Sequence, residues 1–185
     1  MSKGLIIAIV VIAVIVIWLV SSYNKLVRLR NNAKEGFSTM DVYLKKRFDM
    51  IPNLVETVKG YASHESKTLE KVIAARNSVA SSTTVDEQLK NENVLTGTLR
   101  SLFALSESYP DLKANQNFID LQQKIEATEQ DIANARKYYN ATVKSLNNAV
   151  EMFPSNIVAN MFKFEKMAMF EVTSEEERSN VKVQF

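Results

Sequence analysis

The sequence predicts an all-α protein. An N-terminal transmembrane helix continues into an elongated antiparallel four-helix bundle and ends in a short extended C-terminal tail. Three observations carry this. Only four Gly and three Pro occur among 185 residues, while 46% are hydrophobic. That is too apolar for a disordered chain and too poor in turn formers for a β-sandwich. The run LIIAIVVIAVIVIWLV, Leu5 to Val20, holds neither a charge nor a helix breaker. Two long later stretches repeat apolar residues near the helical period.

The apolar run spans about 24 Å as a helix, and roughly 30 Å with Gly4 and Ser21–Ser22 included. Leu5, Ile9, Ile12, Val16, Trp18 and Val20 are its anchor residues, and Trp18 with Tyr23 suits an interfacial aromatic belt. A cleaved signal peptide is the rival, but the run exceeds a usual h-region. Only Lys3 precedes the span, whereas Lys25, Arg28, Arg30 and Lys34 follow it. The positive-inside rule therefore expects residues 1–4 outside and the C-terminal domain in the cytoplasm, a single-pass protein of the cytoplasmic membrane.

No breaker separates the span (5–22) from the expected bundle domain, 23–164. Leu26, Leu29, Ala33, Phe37, Met40, Leu44, Phe48, Ile51, Val55, Val58 and Ala62 recur at about 3.6 residues per step, predicting a first helix over about 23–62. Lys45, Lys46, Asp49, Glu56 and Lys59 take the opposite face, and the run Lys45-Lys46-Arg47 is expected to be solvated. Pro52 falls inside this pattern without shifting its phase, so a kink of some tens of degrees is expected rather than an end. The carbonyls freed near Phe48 and Asp49 then need another partner: Asn53, water or a side chain of the fourth helix.

A second helix is expected over 66–80, with Leu69, Val72, Ile73 and Val79 inward. Thr84 to Glu87 fits a capping box opening a third over 85–107, with Val85, Leu89, Leu95, Leu99 and Leu102 inward. Tyr109 and Pro110 open a turn. The fourth helix, 116–150, carries a seam of Phe118, Leu121, Ile125, Thr128, Ile132, Ala135, Tyr139, Thr142, Leu146 and Ala149 at about 3.4 residues per step. Pro154 and Asn156 mark the next turn, before a short helix over 156–163. In the tail, 165–185, the alternation Val181-Lys182-Val183-Gln184-Phe185 reads as frayed chain or a docking strand.

The residues offer no chemistry. One histidine, His64, cannot supply the paired Glu-x-x-His motifs of a di-iron bundle, and without cysteines a zinc site fails too. Neither a phosphate-binding glycine loop nor a nucleophile elbow occurs. The formal charge of +2 implies no nucleic-acid partner. No cofactor, metal, small-molecule substrate or enzymatic activity is expected.

The stretches YNKLVRLRNNAKEGFSTMDVYLKKRFDMIPNLVETVKGYASHE and LSESYPDLKANQNFIDLQQKIEATEQDIANARKYYNATVKSLNN, with the following FPSNIVANMF, resemble the signature of the LemA family of bacterial membrane proteins. The motif around the kink is carried here by Arg47, Asp49, Pro52, Asn53, Leu54 and Glu56. The resemblance implies a helical bundle on an N-terminal anchor and a bacterial or occasionally archaeal source. It supplies no agreed biochemical activity. One branch is associated with forming magnetosome membranes, which suggests membrane shaping by analogy.

Two functions follow as expectations. One is a non-enzymatic scaffold that self-assembles into a homo-oligomer and organises or shapes the cytoplasmic membrane. The other is a tethered adaptor or regulator for another membrane protein, such as a protease or signalling protein. Phe162, Phe164, Phe170, Val181, Val183 and Phe185 are the candidate contacts for the oligomer or the partner, on condition that the aromatics are not core.

Overall fold

The computed structural model describes residues 2–170, and among these the regular structure is all α-helix. Among the described residues six helices run in order: α1 (Lys3–Lys59), α2 (Ser66–Ala80), α3 (Val85–Ser106), α4 (Pro110–Lys113), α5 (Gln116–Glu151) and α6 (Ser155–Met161). The expected tail contacts Val181, Val183 and Phe185 lie outside the described residues.

The apolar residues at the start of α1 stand in the open, Leu5, Ile9, Ile12, Val16 and Val20 among them, with Trp18 half-buried. This helix is long and apolar enough to cross a membrane. Trp18 packs at the edge of the core formed by Leu26 and Ala149, while Leu5, Ile9, Ile12, Val16 and Val20 meet no core, as suits a segment able to take lipid as its solvent.

Within the described residues two compact units form. One takes residues 2–38 and 137–169. Its core joins Leu26 of α1 and Ala149 of α5 to Val158, Ala159 and Phe164. Beyond α6 the chain turns through Lys163 at φ 55°. Phe164 N–H then donates to the Ala159 carbonyl (2.9 Å) and Lys163 N–H to that of Asn160 (3.3 Å). This is a Schellman closure with lysine where glycine is usual, and its hydrophobic residue, Phe164, is buried. The following segment is clamped onto α5: Asn147 exchanges two hydrogen bonds of 2.9 Å with the Met167 backbone, and Tyr139 OH donates to the Ala168 carbonyl (2.7 Å). Burial raises the Tyr139 pKa above the usual phenol value.

The other unit takes residues 39–136 and 170. Its core gathers Ile51, Leu54, Val55 and Val58 from α1, Leu69, Val72 and Ala75 from α2, Leu95, Leu99 and Leu102 from α3, Leu112 from α4, and Phe118 and Ile125 from α5. The caps that start these helices are local. Thr84 Oγ1 accepts from Glu87 N–H (3.2 Å), and Glu87 Oε2 accepts from Thr83 N–H (2.9 Å). Asn115 Oδ1 accepts from Phe118 N–H (3.0 Å) at the head of α5.

Details differ from the sequence expectation. Ile73 and Val85 are exposed, and Ala75 is buried instead. Along α5, Val143 is buried while Thr142 and Leu121 are only half-buried. The turn after α3 contains a helix of its own, α4, because Pro110 sits at its first position, where a missing N–H costs nothing.

Candidate functional site

The family-like motif on α1 builds a polar cluster where a solvated face was expected. Lys45, Lys46, Asp49, Asn53 and Glu56 are exposed, but Arg47 is 1% exposed. Arg47 lies three residues after Leu44 and four before Ile51, on the edge of the stripe that faces the core. A guanidinium can be buried there only with partners, and α3 and α5 supply them. Nη1 donates to Thr96 Oγ1 (2.6 Å) and to Glu129; Nη2 donates to the Glu92 carboxylate and, at 3.4 Å, to its carbonyl. Nε is buried without a partner among the described residues. Glu92 is 2% exposed and Glu129 29%.

Burial pushes the Glu92 carboxyl above the usual 4.5, opposed by the Arg47 charge and hydrogen bond and reinforced by the Glu129 and Asp41 carboxylates. One cation thus joins three elements of the same unit. Glu92, Glu129 and Thr96 were missed in the sequence, although Glu92 sits between Leu89 and Leu95 in the inward register of α3. A charge in that register signals a paired buried ion.

One turn onward, α1 passes through Pro52 as continuous helix. The missing amide leaves the Phe48 carbonyl without its ladder donor. That donor comes from α2 rather than from Asn53 or the fourth helix. Arg76 Nε donates to the Phe48 carbonyl (3.3 Å), and its guanidinium lies 3.9 Å from the centroid of the Phe48 ring. The Asn53 carbonyl is meanwhile taken by Thr57 Oγ1 (2.8 Å). Pro52 itself is exposed, Leu54 is in the core, and Asp49 pairs with Lys45 (3.1 Å) on the outer face.

Tyr109, at the head of α4, donates through its hydroxyl to Glu65 (3.0 Å). The hydrogen bond to Glu65 raises its pKa, with desolvation next. Pro154 follows a cis peptide at the α5–α6 corner, and Asn156 is half-buried. Of the candidate contact aromatics, Phe164 and Phe170 are core and offer no surface; the Arg30 and Arg136 guanidinium groups lie over their rings at 5.0 and 5.1 Å. Phe162 is 51% exposed.

These arrangements hold helices together and present apolar groups. Neither cluster presents a nucleophile beside a base. No group of three or more metal-ligating side chains forms among the described residues. The sequence pattern of the LemA family matches residues 36–185. The chain is also similar to "Protein LemA" of Metamycoplasma hominis, with 29% identity over 163 residues, covering 85% of this chain and 72% of that protein.

Proposed function

Because the chain belongs to the LemA family, we propose that it is a non-enzymatic, membrane-anchored structural protein whose copies self-assemble and organise or shape the cytoplasmic membrane. The observation that carries this is α1. Within one unit, α1 runs without interruption from an exposed apolar span to Leu26 in that unit's core. A folded part joined to its anchor without a flexible linker is oriented by the bilayer, so contacts between neighbouring copies would transmit to the membrane. The folded part is an antiparallel four-helix bundle in this proposal, with α1, α2, α3 and α5 as its helices. The charge asymmetry across the span, Lys3 before it and Lys25, Arg28, Arg30 and Lys34 after it, supports a cytoplasmic domain.

The test is the mass of the full chain solubilised in mild detergent, measured by light scattering across a concentration series. A discrete mass several times that of one chain is expected. A strict monomer at the highest concentration would refute self-assembly.

A further inference from the structure

We propose that the α5–α6 corner is a second membrane-binding element, whose exposed apolar side chains enter the headgroup and upper acyl layer beside the end of the span. This rests on reading residues 5–22 as membrane-spanning. Met152, Phe153, Ile157, Met161 and Phe162 are all exposed, Phe153 by 78%, while Val158 and Ala159 on the other face of α6 are buried in the unit's core. A short element with one face docked and the other apolar and bare is built for an interface.

Its position identifies the occupant. A cleft of about 440 Å³ is lined by Trp18 and Ser22 of α1 and by Met152, Phe153 and Pro154 of the corner. The Phe162 ring packs 4.7 Å from that of Tyr23. Trp18 lies about 6 Å along the helix before Ser22. The corner is therefore level with the last turn of the span, where lipid is the surrounding medium. Lys25 in the cleft and exposed Lys163 beside Phe162 supply cations at headgroup height.

The backbone tolerates such a place. Met152 N–H donates to Asn148 (2.8 Å), Asn156 N–H to Met152 (2.9 Å) and Ile157 N–H to Pro154 (3.2 Å), while Pro154 has no N–H to satisfy.

The experiment reconstitutes the full chain into vesicles of phosphatidylcholine and phosphatidylglycerol, with bromine placed either near the headgroup or near the chain ends. The natural Trp18 reports on the span. In a Trp18→Phe background, Phe153→Trp reports on the corner, and Asn32→Trp reports on an exposed site about 18 Å along α1 from Val20. Shallow bromine is expected to cut Phe153→Trp emission roughly two-fold and leave Asn32→Trp unchanged. Unquenched Phe153→Trp beside quenched Trp18 overturns the proposal and leaves the span intact. If iodide in the water also fails to reach Phe153→Trp, a protein surface covers the corner instead, and the proposal is again overturned. If Trp18 is unquenched as well, it is the reading of the span that has failed.

Discussion

Replacing Arg47 by Met tests the buried cluster most sharply. Met keeps an unbranched stem of similar reach and removes the charge. Glu129, 29% exposed, can turn to water, but Glu92 at 2% cannot. Glu92 must then stay ionised without its cation or take up a proton. Either course costs free energy beyond what wild-type Glu92, its pKa already raised by burial, has given up. Lost hydrogen bonding to Thr96 adds to this, so a destabilisation of about 3–5 kcal/mol is expected, in the range for one broken partner of a buried pair.

The penalty also has a pH signature. A carboxyl whose folded pKa is raised stabilises the fold fully below its unfolded value, and that stabilisation is lost as pH rises through the folded pKa. Burial already places wild-type Glu92 in that class. Without Arg47 its pKa climbs further, so the variant goes on losing stability to higher pH than the wild type does. At pH 5 the protonation cost falls below about 1 kcal/mol. Urea unfolding of the full chain in micelles, followed by helical circular dichroism from pH 5 to pH 8, reads both quantities. A penalty under about 1 kcal/mol at pH 7, or one independent of pH, would refute the reasoning. The double variant Arg47→Met with Glu92→Leu should regain most of the loss, since neither buried charge remains.

Arg76→Ala removes the donor that serves the Phe48 carbonyl and should cost about 1–2 kcal/mol. In a Pro52→Ala background the restored amide competes for that carbonyl, so the loss should shrink; equal losses in both backgrounds would show that the two residues are uncoupled. A Cβ on Gly36 would stand 3.2 Å from the Tyr139 Cα and from Thr142 Oγ1, whereas one on Gly97 meets nothing within 4 Å. Gly36→Ala should therefore lower the melting temperature, while Gly97→Ala gains about 0.5–1 kcal/mol of helix preference. Lys163→Gly relieves a left-handed side chain and should stabilise by roughly 1 kcal/mol, measured by the same urea titration.

Much of the helical framework was legible in the residues. The expected bounds 66–80 match α2, and 85–107 and 116–150 fall within one residue of α3 and α5. The reason is that caps and apolar periods are local: Thr84, Asn115 and Pro110 act on neighbours within four residues. The apolar helix long enough to cross a membrane was equally legible, because an uninterrupted apolar run carries its own solvent preference. What the residues on α1 do was decided elsewhere. Arg47 could pass for the end of an exposed basic run because its partners lie 45 and 82 residues away, on helices whose rotation sets whether a carboxylate reaches it. The helical phase persists through Pro52, but only the packing of α2 brings Arg76 to the carbonyl that proline leaves open. Phe162 and Phe164, two residues apart, divide into surface and core through the left-handed turn at Lys163 between them. Local chemistry determined where helices begin and end; the register between helices decided which polar groups are paired, because that register depends on the whole set of side chains packed between them.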